Sequence, residues 1–126
     1  MKKQISTTGA PPPGATYSQG LIVGDTVYVS GTRPVDPKTG AIPESVGEQT
    51  RLVMENIKTI LEAGGAGMND VVKATVHLAD VDHFKEFNEV YSRYFEPPYP
   101  VRTTVGSVLR GILVEIDVIA VKKKEL

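Results

Sequence analysis

Apolar residues recur along this chain with two different periods, and each period predicts a different kind of element. Between residues 46 and 61 they recur at helical spacing, which places them on one face of an amphipathic helix. Between residues 72 and 78 they alternate with polar residues, as in a half-buried strand. The elements predicted in chain order are strands at 17–23 and 26–30, a helix at 45–64, a strand at 72–78, a helix at 84–95, and strands at 103–109 and 113–121.

The first predicted helix has recognisable signals at both ends. Ser45 and Glu48 have the spacing of a capping box, in which each side chain accepts a hydrogen bond from a free amide of the first turn. Gly64 and Gly65 end the helix, because glycine readily adopts the left-handed conformation of a C-terminal cap.

Turn-forming residues mark the other boundaries. The Gly24–Asp25 pair favours a hairpin turn between the first two strands. The second helix is capped by Asp80 or Asp82 and ends before Pro97–Pro98. Residues 1–14 include a run of three prolines, which cannot donate to a sheet, so we expect an extended N-terminal arm or loop.

The element order β-β-α-β-α-β-β predicts an α+β domain with both helices on one face of a single mixed sheet, because strand–helix–strand connections are right-handed. The last strand is apolar on both faces, as strands covered on both sides usually are. One face carries Val114, Ile116, Val118 and Ala120, and the other carries Leu113, Ile119 and Val121. Since two helices cover only one face, we expect the other face to pack against further copies of the chain in a homo-oligomer.

Composition excludes several classes of protein. The 126 residues fit one domain, and the absence of cysteine excludes disulfides, iron–sulfur clusters, thiolate zinc sites and a thiol nucleophile. The net charge of −1, with both signs interspersed, offers no basic patch for nucleic acid. The lysines at 122–124 are interpreted as a solvated tail.

Neither a membrane segment nor a secretory signal is expected. No apolar stretch approaches the roughly 20 residues that span a bilayer. The charged start at residues 1–3 has no apolar stretch behind it. We therefore expect a cytoplasmic protein without a membrane partner.

Two carboxylates stand on one face of the last strand. Glu115 and Asp117 are about 6.5 Å apart by strand rise, and a carboxylate in an otherwise apolar strand is costly unless it is paired or used. One interpretation is a salt bridge at an edge or interface. The other is a pocket carboxylate with a raised pKa that serves as general acid or base.

Other polar positions each allow a structural and a functional interpretation. Arg102 is expected where the fourth predicted strand begins, and its planar guanidinium suits a carboxylate, although a surface arginine has the same context. Ser30–Gly31 ends a strand where glycine lets a ligand approach the backbone, and turn geometry explains it equally well. Tyr17 and Asn88 are each compatible with packing or structural hydrogen bonding.

Three further kinds of site are unexpected. His77 and His83 form no recognised zinc motif, so no metal site is predicted. The glycines match neither phosphate-binding loops nor the dinucleotide fingerprint, and the nucleophile elbow of serine hydrolases is missing.

Several short segments match one family in order and spacing. They are 15–20 (ATYSQG), 29–31 (VSG), 36–40 (DPKTG), 48–50 (EQT), 56–57 (NI), 88–91 (NEVY), 95 (F), 100–102 (PVR) and 114–120 (VEIDVIA). Together they cover the chain from about Gly14 to Ala120 and resemble the RidA (YjgF-like) family.

The resemblance implies a fold, an assembly and a reaction. The expected fold is the chorismate-mutase-like α+β homotrimer, with active sites in clefts between adjacent subunits. The expected reaction is cofactor-independent hydrolysis of enamine or imine acids, such as 2-aminoacrylate, to keto acids and ammonia. The expected partners are therefore a small imino or enamino acid and two further copies of the chain.

The resemblance also assigns roles to residues. Arg102 matches the arginine that binds the substrate carboxylate, and Glu115 matches the glutamate that positions or activates water. Four more residues match pocket-lining positions, namely Tyr17, Ser30, Gly31 and Asn88.

Three positions depart from the family pattern. Thr104 replaces a common cysteine and keeps a polar wall in the substrate pocket. Arg33 follows Thr32 where many members have Ser-Gly-Gln, and it adds a cation near the cleft that bears on substrate preference. Segment 109–111 replaces a more common leucine–proline version.

Three alternatives remain open at this stage. A non-catalytic trimeric module would bind small acids or partner enzymes through Arg102 without needing Glu115. A pathway-specific deaminase, for example of 2-aminomuconate, would use both residues. A ribonuclease or translation inhibitor is disfavoured by the near-neutral charge and by the lack of a histidine acid–base pair.

Overall fold

The computed structural model describes residues 1–123 as a six-stranded sheet with two α-helices; Lys124, in the predicted lysine tail, lies outside the described residues. The helices are α1, Val46–Ala63, and α2, Phe84–Tyr91. The strands are β1 (Lys2–Ile5), β2 (Gly20–Val23), β3 (Thr26–Thr32), β4 (Val71–Leu78), β5 (Val101–Gly106) and β6 (Val114–Val121).

The sheet is mixed, and the predicted α+β class is confirmed. The strand order is β1-β2-β3-β6-β4-β5, in which only β4 and β5 are parallel among the described strands. α2 connects these two strands, as parallel neighbours require a crossover. β1 is an addition to the predicted order, because Lys2–Ile5 pairs with β2 in the segment expected to be an arm or loop. Its single apolar residue, Ile5, is too short a pattern to reveal a strand.

The ends of α1 follow the predicted signals in part. The Ser45 hydroxyl accepts a 3.1 Å hydrogen bond from the Glu48 amide. The reciprocal half of the capping box is replaced by an ion pair, since the Glu48 carboxylate instead accepts from Arg51 at 2.8 Å. At the other end Gly65 has φ +83°, and the Ala66 amide donates to the Leu61 carbonyl at 2.8 Å, which forms the left-handed cap.

The core lies between α1 and the helix-facing side of the sheet. α1 packs on β3 and β6 and against α2. Val53, Ile57 and Leu61 of α1 are fully buried, as are Val114 and Ile116 of β6. Each such side chain stabilises the fold by about 1.5–3 kcal/mol relative to an exposed one.

At the start of β4 the buried valine is Val71, one residue before the predicted Val72. Val71 is buried, whereas Val72 is 45% exposed, because the pairing of β4 with β6 shifts register between Val71 and Lys73. A β-bulge of this kind reverses the side to which the following residues point. From Ala74 onward the predicted alternation holds.

The second helical segment is shorter and less regular than predicted. Asp80 caps a 3-10 turn at Val81–His83, accepting from the Asp82 amide at 2.9 Å, and α2 starts after it. A second 3-10 turn at Ser92–Tyr94 replaces the last turn of the predicted helix. No helix in residues 1–123 is long and apolar enough to cross a membrane.

The face of the sheet opposite the helices carries exposed apolar side chains. Tyr28 of β3 pairs with Ile119 of β6 and with Leu21 of β2. Tyr28 and Val121 are each 44% exposed in the single chain. We call this side of the sheet, which carries the apolar residues Leu21, Tyr28, Ile119 and Val121, the open face. It is the uncovered side that the two-sided pattern of β6 predicts.

Candidate active site

Arg102 lies on β5 on the side that faces α2. Its guanidinium carbon is 4.9 Å from the ring centroid of Tyr91, 5.4 Å from that of Phe84 and 5.8 Å from that of Phe87. Cation–π attraction of about 0.5–2 kcal/mol per ring holds the group among these rings. Nη1 also donates a 2.7 Å hydrogen bond to Oδ1 of Asn88. Asn88 therefore makes a structural hydrogen bond, and that bond fixes the orientation of the Arg102 guanidinium.

Among residues 1–123 no carboxylate neutralises Arg102. The only ion pair within 4.0 Å among residues 1–123 joins Arg51 and Glu48 on the surface of α1. The buried hydroxyls of Tyr91 and Thr104 also lack hydrogen-bond partners among the described residues. Burial raises the pKa of Tyr91, and the neighbouring Arg102 guanidinium offsets part of that rise. Because buried donors are rarely left unpartnered, this side of β5 has hydrogen-bonding capacity for a ligand.

A cleft of about 430 Å³ opens beside the Arg102 guanidinium. Its size falls within the range of small-ligand pockets. It is lined by Asn88, Tyr91, Ser92, Tyr99, Pro100 and Arg102. Tyr91, whose ring lies beside the Arg102 guanidinium, therefore also forms part of the wall of this cleft.

Glu115 is the second predicted catalytic residue, and it lies on the open face of β6. Its neighbours in the strand, Val114 and Ile116, are fully buried on the helix side, so Glu115 points the other way. The salt bridge considered for it is not formed within residues 1–123. The carboxylate instead lies over Gly31, where a Cβ atom would come within 2.5 Å of Oε1.

Ser30 and Gly31 occupy an irregularity in β3. The pairing of β3 with β6 shifts register between Val29 and Thr32, which brings the intervening residues out of the regular ladder. The Ser30 hydroxyl donates to the Ser18 carbonyl, and the Thr32 hydroxyl donates to the Ser30 carbonyl at 2.8 Å. The predicted strand end is therefore a hydrogen-bonded bulge beside Glu115.

A second cavity of about 250 Å³ adjoins this bulge, and Tyr17, Ser30 and Gly31 line it. Its roof is the proline segment at 11–13, which the buried Gln19 holds in place. Gln19 Nε2 donates to the Pro11 carbonyl at 2.8 Å, and its Oε1 accepts from the Thr7 amide at 2.8 Å.

The predicted residues therefore form two groups rather than one site. Arg102, Asn88 and Thr104 lie on the helix side of β5, and Glu115 with Gly31 lies on the open face. In register, Arg102 pairs with Ala74, which pairs with Val118, so the Cα atoms of Arg102 and Glu115 are two strands and three residues apart. That separation is about 14 Å. One small molecule cannot contact both side chains within a single chain.

Asp117 stands beside Glu115 on the open face, with His77 across the strands. Burial raises the pKa of the Asp117 carboxyl, and the positive charges of His77 and Lys73 oppose that rise. His77 Nδ1 lies 2.7 Å from the Ser107 hydroxyl. Among residues 1–123 no group of three or more histidine, aspartate or glutamate side chains could hold a metal ion.

Two buried side-chain amides hold the loops around the site in position. The sequence pattern alone suggested no role for them. Gln49 accepts a 2.7 Å hydrogen bond from the Leu113 amide, which leads into β6, and donates to the Pro43 carbonyl. Asn56 donates to the carbonyls of Arg33 and Val35 at 3.2 and 3.0 Å. Their signal in the sequence is a polar residue on the apolar face of α1.

This fold, with an arginine in a cleft that no described carboxylate neutralises and a carboxylate over a strand bulge, defines a small α+β protein with a candidate site for an organic acid. The family model described as endoribonuclease L-PSP matches residues 7–122. A RutC family protein of Saccharolobus solfataricus is 50% identical over 125 residues, covering 97% of this chain and 99% of that protein. The 2-iminobutanoate/2-iminopropanoate deaminase of Bos taurus is 41% identical over 125 residues, covering 97% and 91%.

Solved structures of RidA and of TdcF have the same fold as this chain. RidA from a Psychrobacter species superposes with a TM-score of 0.90 at 41% identity, covering 94% of this chain and 98% of that one. TdcF of Escherichia coli, crystallised with bound serine, superposes with a TM-score of 0.90 at 39% identity, covering 96% and 99%. The chain belongs to the RidA (YjgF-like) family, whose model carries the endoribonuclease L-PSP description.

Proposed function

We propose that this protein hydrolyses reactive enamine and imine acids of the 2-aminoacrylate and 2-iminopropionate type to 2-keto acids and ammonia. The deaminase named among its relatives supports this class of reaction. The observation that carries the proposal is the state of Arg102. Its guanidinium is oriented by Asn88 and aromatic rings but is not paired with any carboxylate among the described residues, so it can bind one from a ligand.

The chemistry requires few groups. The enamine takes a proton from solvent at its terminal carbon and becomes an imine, and water adds to the imine carbon to give a carbinolamine. The carbon–nitrogen bond then breaks as the carbinolamine hydroxyl loses its proton to solvent, which releases ammonia and leaves the keto acid. Glu115 accepts the proton of the attacking water and returns it to the leaving nitrogen. Arg102 holds the carboxylate, so that the imine carbon faces the activated water. None of these steps requires a cofactor.

We propose that the site is assembled between subunits of a homotrimer. Arg102 and Glu115 lie on opposite sides of the sheet and about 14 Å apart in register, so one substrate can reach both only if they come from different chains. The exposed apolar residues of the open face support packing of the sheets against one another. Each site then combines the Arg102 group of one subunit with the Glu115 group of its neighbour.

The test is deamination of freshly generated 2-iminopropionate by the wild type, Arg102→Ala, Arg102→Lys and Glu115→Gln. We expect acceleration over the spontaneous rate in the wild type and a severe loss in all three variants, with the assembly preserved on a sizing column. Lysine keeps the charge but not the planar fork, so Arg102→Lys separates bidentate binding from simple attraction. A wild type that gives no acceleration with any imino acid contradicts the proposal.

The second candidate is a non-catalytic module that binds small acids. The crystal structure of TdcF with bound serine favours it, because serine carries a carboxylate and is not an imine. Glu115→Gln distinguishes the two functions. In a binding module this variant retains full function, whereas in a deaminase it binds the acid without turning it over.

The physiological substrate and the location in the cell are separate questions. A pathway-specific deaminase acting on an acid such as 2-aminomuconate would use the same two residues, and comparison of substrates decides between them. A cytoplasmic location stays a prediction.

A further inference from the structure

A second arginine without a carboxylate partner among residues 1–123 lies at the Glu115 half of the proposed site. Arg33 lines the 250 Å³ cavity together with Tyr17, Ser30 and Gly31. Gly31, which lines this cavity, also lies against the Glu115 carboxylate, so the cavity and the carboxylate meet at Gly31. A ligand group that extends from Gly31 into the cavity meets Arg33.

The backbone of Arg33 is held from the core. Its carbonyl and that of Val35 both accept hydrogen bonds from the side chain of Asn56, which is 2% exposed. Thr32, directly before it, is buried and bonded to the Ser30 carbonyl. A residue anchored in this way presents its side chain from a defined point at the cavity.

Arg33 is exposed, and within residues 1–123 most of its guanidinium donors are free. Nη2 donates a single 3.2 Å hydrogen bond to the Arg110 carbonyl, and no carboxylate lies within 4.0 Å among residues 1–123. The acidic residue closest in sequence, Asp36, is occupied within its own turn, where Oδ1 accepts from the amides of Lys38 and Thr39. The protein therefore leaves a fork of donors available to an anion.

The rest of the cavity determines what kind of anion fits. Its walls include the prolines at 11–13, Val35 and Ile60, which suit a short methylene chain. Its volume lies just below the usual range of ligand pockets, as expected for an acid of a few carbons. Apolar walls with a guanidinium at one side match an aliphatic chain that ends in a carboxylate.

We infer that Arg33 binds a second, distal carboxylate and makes the protein selective for dicarboxylic imino acids, such as 2-iminoglutarate, over monocarboxylic ones. This inference rests on the proposed deaminase function and specifies its substrate class. The α-carboxylate is held by Arg102 of one subunit, and the distal carboxylate by Arg33 of the subunit that supplies Glu115. The side chain between them occupies the cavity under the prolines.

The experiment has a catalytic arm and a binding arm. The catalytic arm compares kcat/KM for 2-iminoglutarate and 2-iminopropionate in the wild type, Arg33→Gln, Arg33→Lys and Arg110→Gln. The binding arm measures Kd for the stable acids 2-oxoglutarate and 2-oxobutanoate by calorimetry in the same proteins. Arg110→Gln is the matched control, since it removes the same charge nearby while keeping the backbone carbonyl that Arg33 contacts.

The expected result is a wild-type preference for the dicarboxylic acid in both arms. Arg33→Gln lowers that preference at least tenfold, Arg33→Lys lowers it partly, and Arg110→Gln preserves it. Equal wild-type affinity for the two keto acids, or an unchanged preference in Arg33→Gln, overturns the inference. An equal loss in Arg110→Gln also overturns it, because overall charge then explains the effect. If no imine is turned over, the deaminase proposal fails, while the binding arm still decides the role of Arg33.

Discussion

The Oε1 atom of Glu115 occupies the space beside Gly31, only 2.5 Å from the point where a Cβ atom on residue 31 would lie. Cβ atoms in real proteins essentially never come so close to another heavy atom. The register shift between Val29 and Thr32 brings this stretch of β3 up to the carboxylate. The position of the Glu115 carboxylate therefore depends on the absence of a side chain at residue 31.

Replacing Gly31 by alanine should displace the Glu115 carboxylate and abolish most of the activity while leaving the fold intact. A shift of about 1 Å in a reacting group can cost on the order of 100-fold in rate. Turnover of 2-iminopropionate and the unfolding midpoint are the measurements. Gly67→Ala is the control, because a Cβ there meets nothing closer than 4.0 Å. Full activity in Gly31→Ala would show that the carboxylate has no role in turnover.

Asn88→Asp should weaken binding of a substrate carboxylate. The new carboxylate would sit 2.7 Å from Nη1 of Arg102 and form a charged pair that competes with the substrate. We expect KM to rise more than tenfold with a smaller change in kcat. Glu89→Gln, an exposed change on the same helix, should leave both constants near the wild-type values. A change confined to kcat would contradict carboxylate anchoring by Arg102.

Tyr28→Glu should dissociate the assembly and remove the activity with it. Tyr28 lies on the open face opposite Ile119, and a carboxylate buried there between apolar residues would be costly. Sizing chromatography and deamination assays at one protein concentration test both effects. Lys58→Glu, on the exposed side of α1, serves as the control for charge. An active Tyr28→Glu monomer would show that one chain holds the whole site.

Asp117→Asn should increase the free energy of unfolding relative to the wild type as pH rises from about 4 to 7. Burial raises the pKa of Asp117 in the folded chain, so the folded state holds this proton more tightly than the unfolded state. The stabilising contribution is complete below the unfolded pKa of about 3.9 and is lost as pH rises through the folded-state pKa. Asparagine does not ionise and avoids that loss.

Denaturant unfolding at several pH values measures this difference. Glu62→Gln, an exposed change of the same charge, should show no comparable trend. The difference in unfolding free energy between Asp117→Asn and the wild type could instead narrow as pH rises. That result would show that the charges of His77 and Lys73 lower the pKa of Asp117 by more than burial raises it.

Leu61→Ala should destabilise the domain by about 2–5 kcal/mol, because Leu61 is completely buried in α1 and its truncation leaves a cavity in the core. Val108→Ala should change the free energy of unfolding by less than about 0.5 kcal/mol, since Val108 is fully exposed. Chemical denaturation of both variants checks the two values. Similar effects in the two would mean that the core assignment is wrong.

Much of the fold follows from local patterns. The α1 face that includes Val53, Ile57 and Leu61 was predicted correctly because burial repeats with the helical period. The two-sided pattern of β6 is equally informative, since apolar residues on both of its faces predict an uncovered sheet face. β1 and the early register of β4 were missed, because one strand has a single apolar residue and the other contains a bulge set by its partner.

For the site, local sequence was enough to identify the residues that carry the chemistry: an arginine where a strand begins, and a carboxylate in an apolar strand. The surroundings of those two groups depend on the folded arrangement of the strands. Strand order and register place Arg102 among the aromatic rings of α2 and Glu115 over Gly31, on opposite faces of the sheet. Periodicity records whether a residue is buried, because burial alternates locally. Which strands become neighbours depends on contacts far apart in the chain, and these leave no local pattern.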